Sequence, residues 1–220
     1  VHLLAAEPAA RVKQAVIITG LCRSGTSAVA EVCHVLGFPM GRTFGAPIAP
    51  DFRLDWEDGE LTPWMADTVE ERNATPYSIF GELAWFDIEA HVAVRVAHSH
   101  GAGCGGRLGF KSPLLAILHH ERERLEARLS ELGFYDRLLV WVTRSETAIE
   151  RSIARQPGAE VLRRWNGLIH ESSVPRNHVL PYEALVANPA FEVGRLASLL
   201  GVEDPVRISQ AAARVARPCS

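Results

Sequence analysis

The run Gly20-Leu21-Cys22-Arg23-Ser24-Gly25-Thr26-Ser27 holds the densest chemistry in the sequence. Its glycines let backbone N–H groups converge on one point, and a helix that begins inside the run adds its positive N-terminal end. Ser24, Thr26 and Ser27 contribute hydroxyl donors, and Arg23 contributes a permanent charge able to grip phosphate through two bonds. This is the make-up of an anion site. Two more charged residues end apolar runs further along: Lys111 closes RLGFK, and Arg144 follows LLVWVT, with Ser152 two helical turns beyond it. An arginine at the carboxyl end of a strand lies where open α/β sheets bind ligands.

Gly20 and Gly25 have the spacing of the glycines in the nucleotide loop GxxxxGK[ST]. That loop places Lys after its second glycine, where it reaches the β- and γ-phosphates. Here the position is Thr26, and the basic residue sits earlier, at Arg23. The run therefore suits a terminal 5′-phosphate group better than a magnesium triphosphate. A small-molecule or nucleotide kinase with a degenerate loop is the main rival, and it predicts magnesium ligands. The apolar run ending at Thr143 has no Asp at its tip to supply one. A non-catalytic nucleotide-binding protein is the other alternative, because fold alone does not prove activity.

These residues need a sheet to hold them. Ala15–Thr19 is apolar and β-branched, as in a strand buried on both faces, and Ser24–Leu36 has helical spacing stopped by Gly37. Arg107–Lys111, Arg137–Thr143 and Asn177–Pro181 are further strand candidates. Helices are predicted at Pro113–Leu132, Glu146–Arg155, Val161–Glu171, Phe191–Leu200 and Pro205–Val215. Alternating strands and helices predict an α/β, three-layer P-loop-like fold: a central parallel sheet flanked by helices. Between them, residues 38–106 carry Pro39, Pro47, Pro50, Pro63 and Pro76 among acidic residues and tryptophans. This stretch is predicted to be an irregular helical and loop insertion serving as lid or acceptor-binding segment. His98–Gly106 is predicted to be a glycine-rich break.

Length and composition fit this plan. The 220 residues suit one domain, 1–220, large enough to bury its core without staples. A net charge of −3 gives no overall bias toward nucleic acid, so the anion site must be local. Cys22, Cys33, Cys104 and Cys219 fit no zinc module, so reduced thiols in a cytoplasmic protein are expected, with no metal. No apolar run is long enough to cross a bilayer, and Val1–Ala10 lacks the pattern of a signal peptide.

Together, GLCRSGTS at Gly20–Ser27, the strand-end Arg144 with Ser152, and Tyr182-Glu183-Ala184-Leu185 followed by Asn188-Pro189 resemble the sulfotransferases that use 3′-phosphoadenosine 5′-phosphosulfate (PAPS). The resemblance spans Val16–Gly201, with its middle third poorly covered. It implies PAPS as donor and adenosine 3′,5′-bisphosphate (PAP) as product, with no metal required. It further implies that Cys22, Arg23, Ser24, Gly25, Thr26 and Ser27 bind the 5′-phosphosulfate, that Arg144 and Ser152 bind the 3′-phosphate, and that Tyr182 contributes to the nucleotide pocket. Two departures stand out. Cys22 occupies a position where the family commonly has proline. No equivalent of the cytosolic branch's RKGxxGDWK-like motif is found near the C-terminus, which makes the resemblance closer to short bacterial or carbohydrate-type members.

Sulfuryl transfer builds charge on a leaving phosphate oxygen, so positioned cations should do most of the work. Arg23 and Lys111 are the candidates, and Lys111-Ser112-Pro113 is similar to the family's KxP segment. A hydroxyl or amine acceptor also needs a base within reach. Glu57 is the first choice and Asp58 the second, with His98 and His100 as rivals. Trp56, Trp64, Trp85 and Phe86 are candidates for lining the pocket of a small-molecule or glycan acceptor. Arg163 and Arg164 read better as solvated helix charges than as phosphate ligands.

Overall fold

The computed structural model describes residues 13–40, 47–49, 52–53, 88–101, 106–156 and 158–216. Its centre is β1 (Gln14–Gly20), the apolar run that leads into the glycine loop, and every residue from Ala15 onward in this strand is buried. β1 is flanked by β4 (Arg107–Lys111) and β5 (Asp136–Thr143), and β6 (His178–Pro181) pairs with the far side of β5. The order is β4-β1-β5-β6, and all three pairings are parallel. The predicted α/β class with a parallel sheet is therefore what forms.

Alternation along each strand divides the core into two layers. Ala15 and Ile17 of β1, with Trp141 of β5, face one side, and Val16 and Ile18, with Val140 and Val142, face the other. The first layer is covered by α2 (Ile88–Gly101), the 3-10 turn Pro113–Ala116, α3 (His119–Glu131), α4 (Glu146–Ile153) and α5 (Ala159–Glu171). The second is covered by α1 (Thr26–Val35), α6 (Tyr182–Ala187), α7 (Pro189–Leu199) and α8 (Pro205–Val215). Side chains such as Ile17, Ile18, Phe110 and Phe134 are wholly enclosed, each contributing about 1.5–3 kcal/mol through burial.

Several boundaries differ from the sequence expectation. Helix α1 begins at Thr26 rather than Ser24, because Gly25 takes a positive φ of 99° that no helix interior allows. The single helix expected over Pro113–Leu132 is two elements. Ser112 Oγ accepts from the Leu114 N–H at 3.3 Å to start the 3-10 turn, whose four residues are all buried. The chain then breaks at Leu118 and restarts as α3, with one face open to solvent. The C-terminal helix expected at Phe191 starts at Pro189 instead, with Asn188 capping it, and is preceded by the unforeseen α6.

Within the 38–106 stretch, the described residues include a short antiparallel pair, β2 (Pro47–Ala49) and β3 (Phe52–Arg53), as well as α2. Helix α2 runs to Gly101, so the expected break at His98–Gly106 is helical over its first four residues. Arg95, 7 % exposed, donates from Nη2 to the carbonyls of Pro39 (2.9 Å) and Gly109 (2.7 Å) and lies over the Phe110 ring at 4.9 Å. A buried guanidinium held this way fastens α2 to β4 and to the chain after α1.

Candidate functional site

The parallel register brings the carboxyl ends of all four strands to one edge of the sheet. Gly20 pairs with Val142, Ile18 with Lys111, and Thr143 with Pro181. The residues after β1, at the end of β4, after β5 and after β6 are thus neighbours, although they come from four separate parts of the chain. The strand order also reverses around β1, since the chain visits β4 on one side and then crosses to β5 on the other. Such a switch point is where open α/β sheets bind ligands.

The Gly20–Ser27 loop fits its surroundings closely. A Cβ on Gly20 would run into the Val142 carbonyl, and one on Gly25 would run into the Tyr182 ring. Arg23 has a φ of 68°, alone among the described non-glycine residues in being positive. Holding an L-residue there costs about 1–2 kcal/mol. Positive φ at alternate residues is how a backbone nest for an anion is built. The N–H of Ser24 bonds to the Leu21 carbonyl at 3.1 Å. The amides of Arg23, Gly25 and Thr26 have no hydrogen-bond partner among the described residues. Ser24 Oγ is buried and likewise lacks one. A buried hydroxyl without a partner carries a desolvation cost of about 1–3 kcal/mol, which a ligand oxygen would offset.

The side chains converge on this loop. Arg23 Nε donates to Ser152 Oγ at 3.0 Å, joining the loop to α4. Arg144 Nη1 donates to the Arg23 carbonyl at 3.2 Å, and its guanidinium lies 4.8 Å from the centre of the Tyr182 ring. Lys111, only 2 % exposed, donates from Nζ to Ser27 Oγ at 3.2 Å, where Ser27 begins the second position of α1. The ammonium missing after Gly25 is therefore supplied beside the same helix turn by a different strand. Arg23, Ser24, Gly25, Thr26, Ser27, Lys111, Arg144, Ser152 and Tyr182, all singled out from the sequence, form one cluster.

Cys22 shares the loop, but its amide is not open. Its N–H donates to Asn166 Oδ1 at 2.7 Å, and its carbonyl accepts from Asn166 Nδ2 at 3.3 Å. Sequence reasoning missed Asn166. The available signal was its place in the buried stripe Leu162, Trp165, Asn166, Ile169 of α5, where an amide must find a partner. Glu183 was quoted as part of a motif but given no role. Its Oε1 accepts from the Ser145 N–H at 2.8 Å, immediately after Arg144. That bond, helped by the Arg144 charge, holds the Glu183 carboxyl below its ordinary range.

Other sequence candidates stand apart. Glu57, Asp58, Trp56, Trp64, Trp85 and Phe86 lie outside the described residues, as do Cys104 and Cys219. His98 and His100 fall on α2. Arg163 pairs with Glu150 at 3.0 Å on an exposed face, as a solvated helix charge would. Cys22 and Cys33 are buried thiols, and burial pushes Cys33 up to about 12. No helix among the described residues is long and apolar enough to cross a membrane.

No protein-family model matches the chain, and no curated relative matches its sequence. Among solved structures, an unliganded sugar kinase from a Janibacter species is similar, at 14% identity and a TM-score of 0.50. The match covers 89% of this chain and 98% of the kinase. The sulfotransferase domain of a Synechococcus olefin synthase matches at 17% identity and a TM-score of 0.46, over 95% of this chain and 82% of the domain. A Mycobacterium tuberculosis sulfotransferase matches at 15% identity and a TM-score of 0.45, over 93% and 72% respectively. The kinase likeness extends to a shared α/β fold, and at such identity it speaks to fold alone.

Proposed function

We propose that the chain is a PAPS-dependent sulfotransferase acting on a hydroxyl or amine of a small-molecule or glycan acceptor. The observation that carries this reading is the Arg23–Ser152 bond of 3.0 Å together with the Arg144–Arg23 contact. With the Gly20–Ser27 loop beside the strand-end Arg144 and Ser152, these contacts support a ligand that carries both a 5′- and a 3′-phosphate on one ribose. The residues present fit that nucleotide. The partnerless Ser24 Oγ and the open amides of Gly25 and Thr26 offer donors at the helix N-terminus. Arg144 uses one N–H on the Arg23 carbonyl and retains others for a phosphate.

Bound PAPS supplies the sulfuryl group and a phosphate as leaving group. In this reading Arg23 and the loop amides orient the 5′ end, and Arg144 and Ser152 hold the 3′-phosphate. Tyr182, packed against Gly25, walls the pocket. The Lys111 ammonium, enclosed at the end of β4, stabilises negative charge beside α1 where it is shielded from water. Glu57, or Asp58 in its place, takes the acceptor's proton. The whole chain acts as one domain, with residues 38–106 supplying the acceptor side.

Calorimetric titration tests the reading with PAP, AMP and ATP–magnesium. Metal-independent preference for the bisphosphate is expected, followed by transfer of labelled sulfate from PAPS to an acceptor. Preference for ATP–magnesium overturns it in favour of a kinase. Bisphosphate binding without transfer to any acceptor reduces it to a nucleotide-binding protein.

A further inference from the structure

We infer that Asn166 is the positioning residue of the Gly20–Ser27 loop, fixing which backbone amides the loop offers to a 5′-phosphate. The ligand class in this statement rests on the function proposed above. The bracing itself does not.

Asn166 is 8 % exposed and sits among Leu162, Trp165 and Ile169 on the buried stripe of α5. A carboxamide in such a stripe is costly unless its oxygen and nitrogen are both bonded. Both bonds go to one residue 144 positions away, the oxygen to the Cys22 N–H and the nitrogen to the Cys22 carbonyl. The side chain therefore treats Cys22 as a neighbouring strand would, and it fastens the loop to α5, in whose core layer Cys22 is buried. With both polar groups of Cys22 bonded to α5, the loop amides without a partner among the described residues are those of Arg23, Gly25 and Thr26.

The bracing also accounts for the unusual backbone of the next residue. Arg23 is held at a φ of 68° between two fixed points. Cys22 is anchored by Asn166 on one side, and the Arg23 carbonyl is anchored by Arg144 on the other. Removing the carboxamide deletes both of these bonds to buried Cys22. The loop then gains by relaxing Arg23 toward negative φ, which turns its amides away from their common centre. Cys22 fits this arrangement for a simple reason: proline, which has no N–H, could not donate to Asn166.

The test compares Asn166→Ala and Asn166→Asp with Leu162→Ala, a cavity on the same buried stripe that touches neither Cys22 bond. Aspartate keeps the acceptor for the Cys22 N–H and loses the donor to its carbonyl. Two measurements are made: amide hydrogen exchange across Gly20–Ser27 without ligand, and titration with PAP and with adenosine 3′-monophosphate. Asn166→Ala is expected to speed loop exchange and to weaken the bisphosphate about tenfold, leaving the 3′-monophosphate unchanged. Asn166→Asp is expected to fall between, and Leu162→Ala to lower thermal stability with the loop exchange and the ratio of the two affinities intact. Should Asn166→Ala be too unstable to purify, the aspartate variant carries the same comparison. Loop exchange that is unchanged in the Asn166 variants, or that rises equally in Leu162→Ala, overturns the inference. A wild-type protein that ignores PAP overturns the proposed nucleotide instead, while the exchange measurement still decides the role of Asn166.

Discussion

On the loop side of the site, the bonds are made in the interior. Asn166 is enclosed, Lys111 reaches Ser27 from within the sheet, and Gly25 lies so close to Tyr182 that no side chain fits between them. On the Arg144 side, the bonds are made at the surface. Arg144 reaches the Arg23 carbonyl from a half-exposed position, and Glu183 holds Ser145 in contact with water. Buried hydrogen bonds cost about 1–3 kcal/mol when one partner is removed, whereas solvent-exposed ones are replaced by water at little cost. One half of the site is therefore set before any ligand arrives. The other half keeps side-chain donors that can turn toward a phosphate, the division expected where an anchor is rigid and discrimination comes from adaptable charges.

Predictions follow the same division, and the largest effect belongs to the rigid half. Gly25→Ala is expected to destabilise the fold by about 2–4 kcal/mol, adding steric overlap to the strain of positive φ, and to abolish PAP binding. Thermal unfolding and calorimetry read both effects. Adding Tyr182→Ala is expected to recover part of the stability, and simple additivity in that double mutant would break the account of their contact. Next comes Arg144→Ala, expected to weaken PAP about 10–100-fold and to bring it to the affinity of AMP, with stability almost unchanged. If AMP weakens equally, the arginine is not reading the 3′-phosphate. Ser152→Ala is expected to weaken PAP less, about three- to tenfold, because one neutral hydroxyl is lost. It also frees Arg23 Nε, so a gain in affinity would reassign the 3.0 Å bond as a competitor of the ligand.

The smallest effect is at Glu183. A carboxyl whose folded pKa is lowered stabilises the fold above its ordinary value of 4.5, and that contribution fades as pH falls through the folded value. The stability difference between wild type and Glu183→Gln is therefore expected to be full at neutral pH and to close in acid. Urea midpoints across that range measure it. A gap that widens in acid would remove the carboxylate from the positioning of Ser145 and Arg144.

Much of this was legible in the chain itself. Residue type and spacing mark Gly20–Ser27 as a tight turn between strand and helix, and it joins β1 to α1 with positive φ at Gly20, Arg23 and Gly25. The strands were marked by short apolar, β-branched runs between helical segments. These signals are local, arising from side-chain periodicity and from the backbone freedom of glycine and proline. Even locally they erred at Leu118, where the helix breaks, and at His98–Gly101, where the helix persists.

Tertiary structure alone decided which distant residues would meet. Arg23 with Ser152, Lys111 with Ser27, and Tyr182 with Gly25 are brought together by strand order and register, through pairings such as Gly20 with Val142 and Thr143 with Pro181. Asn166 shows the limit most clearly. Its own neighbours say only that a buried amide needs partners, and the partner, Cys22, lies 144 residues away in the chain. A sequence can state that requirement because burial is encoded in local pattern. Which residue meets it depends on how the layers close over the sheet, and that is settled only in three dimensions.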